Sequence, residues 1–247
     1  SQSHVPSQWK TAIIHPIAKV KNPIVASDFR PISVVPIISR TLEKLVVRSH
    51  LYPILDNPSC CHLFKDQHAF RPTGSTTAAI ISILHTITNI LSDNPHAILI
   101  SLDFSKAFDT VRHSSLLDKV SSLPIPDHIY NWIASYLENR SHCTHFNGLK
   151  SPSNNISASV VQGSALGPFS FLVCASDLHH LSLLNHLFKF ADDMYLLVPF
   201  SNAASIELEL KHIDAWAGHN NLKLNTTKST EIIFSKKRTK VPLPPPT

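Results

Sequence analysis

The sequence Leu187-Phe188-Lys189-Phe190-Ala191-Asp192-Asp193-Met194-Tyr195-Leu196-Leu197-Val198 places two adjacent carboxylates between two short, mostly apolar runs. Each run is rich in aromatic and branched residues, which predicts two β-strands. We therefore expect a β-hairpin with Asp192 and Asp193 at its turn. Adjacent carboxylates repel and raise each other's pKa, so their position between apolar strands needs a reason. A divalent cation such as Mg²⁺, which prefers oxygen ligands, is one reason. An exposed turn, where Asp is common, is the other.

A third carboxylate changes the balance between these two interpretations. The apolar run His96–Leu102 predicts a strand that ends directly before Asp103. Two strands that each carry carboxylate at one end can be neighbours in a single sheet. We therefore expect Asp103, Asp192 and Asp193 to cluster and to share a pair of metal ions about 3.5–4 Å apart, as a two-metal phosphoryl-transfer site requires.

Composition indicates a folded globular protein and argues against a structural zinc site. The chain has 247 residues, of which 43% are hydrophobic and 16% charged, enough for one large domain or two small lobes. A net charge of +5 suits a polyanionic partner. The four cysteines form no C-x-x-C pair, which argues against structural zinc and favours a reducing, intracellular compartment. We expect no signal peptide, because Ser1–Lys10 lacks a basic segment followed by an apolar one, and no membrane-spanning segment, because no apolar run is long enough.

Two helices are predicted in the first half of the chain. The first runs from Ile37 to His50, and the second begins after Ser75 or Thr76, either of which can act as its N-cap. Their apolar positions recur with helical spacing, which predicts the faces that pack into the core. These positions are Ile38, Leu42, Leu45 and Val46 in the first helix, and Ile80, Ile83, Leu84, Ile87 and Leu91 in the second.

The segment Gln162-Gly163-Ser164-Ala165-Leu166-Gly167-Pro168 combines two glycines with small residues. It follows a predicted hairpin of strands 143–146 and 156–161, with Asn147-Gly148 as its turn, and precedes a helix that reaches about His179. Glycine allows a ligand to approach the backbone closely, but a strand-to-helix turn needs small residues as well. Further helices are expected at 114–121, 127–139 and after Ser201.

The mixture of strands and helices, without strict alternation, predicts an α+β fold with helices packed on one face of a sheet. Residues 222–234 are expected to form a strand, a turn and a second strand. The basic run Ser235–Lys240 could contact nucleic acid or act as an import signal, but such runs are more often solvated linkers, which we favour here.

Taken together, these blocks resemble the reverse transcriptase domain of non-LTR retrotransposons. The resemblance rests on short motifs in the expected order and extends over nearly the whole chain. The motifs are Phe29-Arg30-Pro31-Ile32-Ser33, Phe70-Arg71 with Ser75-Thr76, Leu102-Asp103-Phe104-Ser105-Lys106-Ala107-Phe108-Asp109, the segment Gln162–Pro168, Phe190-Ala191-Asp192-Asp193, and Leu224-Asn225 with Lys228.

The resemblance implies reverse transcriptase fingers and palm, the palm being a ferredoxin-like antiparallel sheet with helices on one face. Residues 1–95 would be mainly fingers, 96–235 mainly palm, and 236–247 a basic and proline-rich tail. A thumb and an endonuclease are expected to be absent.

The resemblance also assigns roles to individual residues. Asp103, Asp192 and Asp193 would be the catalytic metal ligands. Lys228 would protonate the departing pyrophosphate, and Arg30 would hold the triphosphate together with Lys19 or Lys21. Phe108 would lie under the sugar and exclude a 2′-hydroxyl, while Gln162 and Gly163 would line the nucleotide pocket. Arg71 would contact nucleic acid.

The implied function is RNA-directed DNA synthesis with two Mg²⁺ ions, or Mn²⁺ in their place. Its partners would be an RNA template, a DNA primer and a deoxynucleoside triphosphate (dNTP), with no membrane, and its place of action at a target site would be the nucleus. Two alternatives remain open. One is a non-catalytic nucleic-acid-binding remnant of a mobile element. The other is a metal-dependent nuclease, which gives no reason for Phe108 or for the Gln162-Gly163 pair.

Overall fold

The computed structural model of the protein describes residues 3–237 and 241–243. The chain divides into two compact units, each built from two stretches of sequence. The first unit comprises Ser1–Cys60 and Phe108–Cys174, and the second comprises Cys61–Ala107 and Ala175–Thr247. Among the described residues, no helix has both the length and the apolarity needed to cross a lipid bilayer. Much of the predicted basic tail, at 238–240 and 244–247, lies outside the described residues.

Nine named strands and eight α-helices are assigned in the described ranges. The strands are β1 (Thr11–Ala18), β2 (Phe29–Val34), β3 (His96–Leu102), β4 (Arg140–Phe146), β5 (Leu149–Lys150), β6 (Asn154–Ile156), β7 (His186–Phe190), β8 (Asp193–Pro199) and β9 (Thr230–Ser235). The helices are α1 (Ile37–Val46), α2 (Tyr52–Leu55), α3 (Thr76–Asp93), α4 (Ala107–Thr110), α5 (His113–Ser121), α6 (Asp127–Leu137), α7 (Leu166–Cys174) and α8 (Ile206–His219).

The first unit contains a mixed sheet in the order β2-β1-β4-β5, with β6 paired to the side of β4. Strands β1 and β2 are antiparallel, whereas β1 and β4 are parallel. Asn147-Gly148 forms the expected turn, and both residues have positive φ, 49° and 77°, but it joins β4 to the short strand β5 rather than to the predicted strand 156–161. A π-helical turn, Val47–Leu51, connects α1 to α2.

The second unit contains a four-stranded antiparallel sheet in the order β7-β8-β3-β9. In chain order this is second, third, first, fourth, which is the strand order of a ferredoxin-like βαββαβ sheet. The α+β fold class and the ferredoxin-like sheet are therefore confirmed. Helix α3 covers one face of the sheet with Ile87 and Ile90, which pack against Leu99 and Leu197.

The predicted helices α3, α5 and α6 are confirmed, and the side chain of Ser75 caps α3 by accepting a hydrogen bond from the amide of Ala78. The predicted apolar faces are partly wrong. Ile80 and Leu84 are 56% and 52% exposed, because α3 buries a narrower stripe through Ala79, Ile87 and Ile90.

The predicted buried face of α1 is only partly correct. Val46 is buried as predicted, but Ile38 and Leu45 are exposed, while Ser39 and Glu43 are buried instead. The buried Glu43 carboxylate accepts hydrogen bonds from backbone amides at the start of α7, and this contact, rather than apolar periodicity, sets the orientation of α1.

The predicted strand 156–161 is also wrong in extent, since β6 ends at Ile156. Beyond it, Ser157, Ser159 and Val160 form backbone hydrogen bonds to the segment 108–113 instead of joining the sheet. The following helix, α7, ends at Cys174 and does not reach His179.

Candidate active site

The Asp-Asp pair lies at the turn of the β7–β8 hairpin in the second unit. Phe190 pairs with Asp193, so Ala191 and Asp192 are the whole of the connecting loop. Ala191 has φ of 56°, in the left-handed region that a two-residue hairpin turn commonly requires. The predicted hairpin is confirmed. Asp192 is half-buried and Asp193 is exposed.

Asp103 lies at the end of the strand next to this hairpin. Strands β3 and β8 are antiparallel neighbours, with Leu102 opposite Met194. Leu102, directly before Asp103, is therefore paired with Met194, directly after Asp193. The expectation that the carboxylate-bearing strand ends are neighbours in one sheet is confirmed by this register.

The three carboxylates interact electrostatically. Burial raises the pKa of Asp192, and the charge of Asp103 raises it further, although a hydrogen bond from its own amide opposes this. Burial also raises the pKa of Asp193, with added repulsion from Asp192 and Asp103. Like charges in partly desolvated positions favour protonation of the pair unless a cation compensates them.

Within the described ranges, no group of three or more His, Cys, Asp or Glu side chains is placed so that it could hold a metal ion. The donor chemistry of Asp103, Asp192 and Asp193 nevertheless fits Mg²⁺, since carboxylate oxygens are hard ligands and their mutual repulsion is what a divalent cation relieves. The structure thus brings the three carboxylates into one neighbourhood without assembling a metal centre from them.

Lys228 lies in a turn that is attached to the backbone of Asp103. The amide of Asn225 donates to the carbonyl of Asp103 at 2.8 Å, and the amide of Lys228 donates to the carbonyl of Asn225 at 3.2 Å. The Ser229 hydroxyl accepts a longer hydrogen bond, 3.4 Å, from the amide of Asp103. The lysine side chain is exposed. The structure therefore brings the four predicted catalytic residues to the ends of strands in one sheet.

Arg71 belongs to the second unit as well. Its guanidinium Nη1 donates to the carbonyl of Phe64 at 2.9 Å, so part of its hydrogen-bonding capacity holds the loop that precedes α3. The predicted nucleic-acid contact of Arg71 stays a prediction.

Gln162 and Gly163 lie in the first unit, next to β2. The amide of Ser33 donates to the carbonyl of Gln162 at 3.0 Å. Gly163 has φ of 103°, and a Cβ added to it would lie 2.7 Å from the carbonyl oxygen of Ser33. Only glycine fits this position without displacing β2, the strand that carries Arg30. The two neighbouring motifs are therefore in direct contact.

Asp109 fixes the side chain of Gln162. The Nε2 atom of Gln162 donates to Oδ1 of Asp109 at 2.9 Å. Because a carboxylate only accepts hydrogen bonds, the amide nitrogen must face Asp109 and the amide oxygen must face away. Sequence reasoning assigned no role to Asp109, although it stands in the same motif as Asp103.

Phe108 is partly exposed and stacks on the buried ring of Phe171, with centroids 4.5 Å apart and an interplanar angle of 26°. Its carbonyl accepts a hydrogen bond from the amide of Val160. One face of the ring is thus packed, as in a core residue, and the side chain still has an exposed part.

Arg30 is exposed on β2, opposite Ile17 of β1. Lys19, a further candidate for triphosphate binding, donates through Nζ to the carbonyl of Ser27 at 3.1 Å. Lys21 is exposed. Arg30, Phe108, Gln162 and Gly163 therefore all belong to the first unit, whereas the carboxylates and Lys228 belong to the second.

Comparison with known families identifies the chain. Residues 17–241 match the family described as "Reverse transcriptase (RNA-dependent DNA polymerase)". The chain belongs to the reverse transcriptase family. The family expected from the sequence motifs is therefore confirmed.

Curated relatives of this reverse transcriptase domain come from mobile elements of Drosophila melanogaster. The RNA-directed DNA polymerase from mobile element jockey is 29% identical over 95% of this chain and 26% of its own length. The probable RNA-directed DNA polymerase from transposon X-element is 29% identical over 98% of the chain and 27% of its length, and that from transposon BS is 30% identical over 94% and 26%. The chain thus spans about a quarter of these relatives.

Solved structures of telomerase have the same fold. The apo telomerase from Candida tropicalis, truncated from its C-terminal domain, has a TM-score of 0.64 at 16% identity, covering 95% of this chain and 52% of that one. The telomerase from the same organism in complex with a fragment of telomeric RNA has a TM-score of 0.65 at 13% identity, covering 93% and 42%. These similarities support the reverse transcriptase fold of the chain.

Proposed function

We propose that this chain catalyses RNA-directed DNA synthesis as part of a non-LTR retrotransposon polymerase. A primer 3′-hydroxyl attacks the α-phosphorus of a bound dNTP, a new P–O bond forms, and the bond to the β-phosphate breaks to release pyrophosphate. The observation that carries the proposal is the neighbouring placement of Asp103 and the Asp192-Asp193 turn on a ferredoxin-like sheet, in a chain of the reverse transcriptase family.

Asp103, Asp192 and Asp193 are the residues that would hold two Mg²⁺ ions, with Mn²⁺ as an alternative. When bound, such ions lower the pKa of the attacking hydroxyl and neutralise charge on the leaving oxygens. The raised pKa values of Asp192 and Asp193 support this assignment, because burial and repulsion between the carboxylates disfavour their charged forms, and a bound cation would offset both effects.

The remaining candidate residues bind and orient the substrates, and one of them transfers a proton. Arg30 binds the triphosphate through its guanidinium, whose planar fork suits phosphate oxygens. Gln162 and Gly163 line the nucleotide pocket, and Phe108 excludes a 2′-hydroxyl. Lys228 gives a proton to pyrophosphate, and Arg71 contacts the template or primer. Positioning and charge neutralisation are most of what phosphoryl transfer needs.

The partners in this proposal are an RNA template, a DNA primer and a dNTP. Names of the relatives support the template and the product, since they are RNA-directed DNA polymerases. The net charge of +5 suits a nucleic-acid partner. Action at a chromosomal target places the protein in the nucleus.

Extension of a primed RNA template by the purified protein tests the proposal. We expect addition of complementary deoxynucleotides that depends on Mg²⁺ and stops with a chelator. Template binding without extension would instead support a non-catalytic remnant, and cleavage of the template would support a nuclease. Either of these two results overturns the polymerase assignment.

A further inference from the structure

Gln67 is a buried polar residue with no role in the mechanism above. It is 4% exposed. Its Oε1 atom accepts hydrogen bonds from the amide of Ala69 at 3.1 Å and from the amide of Ala191 at 3.2 Å. Because both partners are N–H donors, the side-chain oxygen must face them, and the orientation of the amide is determined.

The contact to Ala191 reaches the most constrained point of the Asp-Asp hairpin. Ala191 is the first of the two loop residues, and its φ of 56° is one that a residue with a Cβ adopts at a cost. The hydrogen bond from its amide to Gln67 therefore acts where the backbone needs external support. Asp192 follows directly, so the same backbone conformation determines where its carboxylate points.

The backbone around Gln67 is attached to the same hairpin. Gln67 forms a parallel bridge with Lys189 on β7. The amide of Lys189 donates to the carbonyl of Asp66, and the amide of His68 donates to the carbonyl of Lys189, both at 2.8 Å. The segment Asp66–His68 is therefore hydrogen-bonded to the edge strand β7 through a single parallel bridge and its two flanking backbone hydrogen bonds.

Lys189 also anchors β7 from its side chain. It is 1% exposed, and its Nζ donates to the carbonyls of Ala175 and Leu178 at 2.9 and 2.7 Å. These contacts attach β7, and with it the segment that carries Gln67, to the loop at Ala175–Leu178.

The other end of the Gln67 side chain argues against a role in packing alone. Its Nε2 is buried and has no hydrogen-bond partner among the residues that the structure describes. A buried, unpaired N–H group destabilises a protein, and an apolar side chain of similar volume would avoid it. What glutamine provides here, and an apolar side chain would not, is the oxygen that accepts a hydrogen bond from the amide of Ala191.

We propose that Gln67 is a positioning residue for the catalytic hairpin: it holds Ala191 in the left-handed conformation and thereby sets the direction of the Asp192 carboxylate. The inference rests on the polymerase function proposed above. Gln67 touches neither substrate nor metal in this role and acts only through the turn.

Gln67→Met tests the proposal, since it keeps the length of the side chain and removes the acceptor. Misplacement of Asp192 should lower kcat for single-nucleotide addition by about ten- to a hundredfold. The KM for dNTP should change less than about twofold, because the nucleotide contacts are assigned to other residues. Gln8→Met, at an exposed residue, is the matched control and should leave both constants unchanged.

A double-mutant cycle with Ala191→Gly separates positioning from a general loss of structure. Glycine adopts positive φ without the steric cost of a Cβ, so the turn depends less on its hydrogen bond to Gln67. The kcat loss caused by Gln67→Met should therefore be at least about threefold smaller in the Ala191→Gly background. An equal loss in both backgrounds would overturn the proposal. If Gln67→Met does not fold, the same cycle is run with Gln67→Asn, which withdraws the acceptor by one methylene.

Hydrogen exchange gives a readout that does not depend on activity. Gln67→Met should speed exchange of the Ala191 amide relative to wild type and to Gln8→Met. Unchanged exchange at Ala191 would refute the positioning role even if the variant were slow. If the wild type extends no primer but Gln67→Met still speeds exchange of the Ala191 amide, the polymerase function is refuted. The support that Gln67 gives to the hairpin turn would then stand without it.

Discussion

At the scale of single residues, the burial and partners of a side chain decide between packing and chemistry. Phe108 has both, since one face of its ring stacks on Phe171 while part of the side chain is exposed. The proposed exclusion of a 2′-hydroxyl depends on the bulk of the exposed part, whereas the stability of the first unit depends on the packed face.

We predict that Phe108→Val relaxes sugar discrimination. The smaller side chain makes room for a 2′-hydroxyl, so incorporation of ribonucleotides relative to deoxyribonucleotides should rise. Loss of the stacked pair should also lower the free energy of unfolding by about 1–2 kcal/mol. Competition between the two nucleotides in single-addition assays measures the first effect. Phe146→Val, at an aromatic residue that is 45% exposed, is the control. Unchanged discrimination with lowered stability would assign Phe108 to packing alone.

The sequence predicted the acidic residues of the candidate site better than the residues that support them. Strand patterns placed Asp103 and Asp192 at strand ends, and pairing of β3 with β8 brought those ends together. Asp109 was not predicted as the partner of Gln162, because a contact across 53 residues of sequence leaves no periodic signal. Gln67 was missed for the same reason.

At the scale of secondary-structure elements, buried polar contacts overrode apolar periodicity. Helix α1 buries Glu43, whose Oε2 accepts from the amides of Ala165 and Leu166 at 2.7 and 3.3 Å, while its Oε1 accepts from the Ser39 hydroxyl. Amides at the start of a helix lack partners within it, and a carboxylate satisfies them. The pattern of apolar residues contains no information about this contact, so Ile38 and Leu45 were wrongly predicted to be buried, whereas Val46 was predicted correctly.

Replacement of Glu43 tests this explanation. Glu43→Ala leaves two amides of α7 without their acceptor and should lower the free energy of unfolding by about 2–3 kcal/mol. Glu43→Gln retains an acceptor oxygen and should cost about half as much. Glu138→Ala, at an exposed position after α6, should change stability by less than about 0.5 kcal/mol. Urea unfolding measures all three, and equal effects at Glu43 and Glu138 would show that the contact does not orient α1.

The positions of both hairpin turns were predicted well because turn residues act locally, and Asn147-Gly148 and Ala191-Asp192 each form a two-residue turn. The strands were predicted correctly only for the β7–β8 hairpin, since Asn147-Gly148 joins β4 to β5 and not to 156–161. The segment 157–161 was predicted as strand from composition alone, but its backbone pairs with the distant segment 108–113. Such pairing is a tertiary effect that local propensity does not determine.

At the scale of the whole molecule, histidines that are fully or partly buried couple folding to pH. Burial lowers the pKa of His113, His68 and His186. For His113, the hydrogen bond to the carbonyl of Ser159 opposes this lowering of the pKa, and the charge of Arg140 adds to it. Burial raises the pKa of Asp66, but its hydrogen bond to His179 and the charge of Lys189 outweigh this effect, so that the pKa is lowered overall.

We predict that stability falls as pH is lowered from about 7 to 5. A histidine whose pKa is lower in the folded state than its usual value near 6.5 binds protons more readily when unfolded, so its contribution is full above that value and is lost as pH falls. Asp66 contributes above its unfolded pKa, and its contribution is lost only as pH falls through its lower folded value. Urea unfolding across this range measures the slope, which should be shallower in His113→Gln than in wild type and in the exposed control His4→Gln. An identical slope in all three would contradict the assignment.

The central claim is that Asp192 supports the chemical step, whereas basic residues of the first unit bind the nucleotide. The most direct test is single-nucleotide extension kinetics on a primed RNA template, run beside a template-binding titration at fixed salt, because nucleic-acid affinity depends on salt. Asp192→Asn keeps the shape of the side chain and removes its charge. Arg30→Ala removes the proposed contact to the triphosphate of the bound substrate. Asp214→Asn, at an exposed position of α8, is the control.

We predict that Asp192→Asn binds template at least as well as wild type, whereas its turnover rate falls about a hundredfold or more. Arg30→Ala should show mainly a raised KM for dNTP, with any loss in rate due to misplacement of the α-phosphorus. Asp214→Asn should match wild type in both assays. Extension at a near-normal rate by Asp192→Asn would contradict the account.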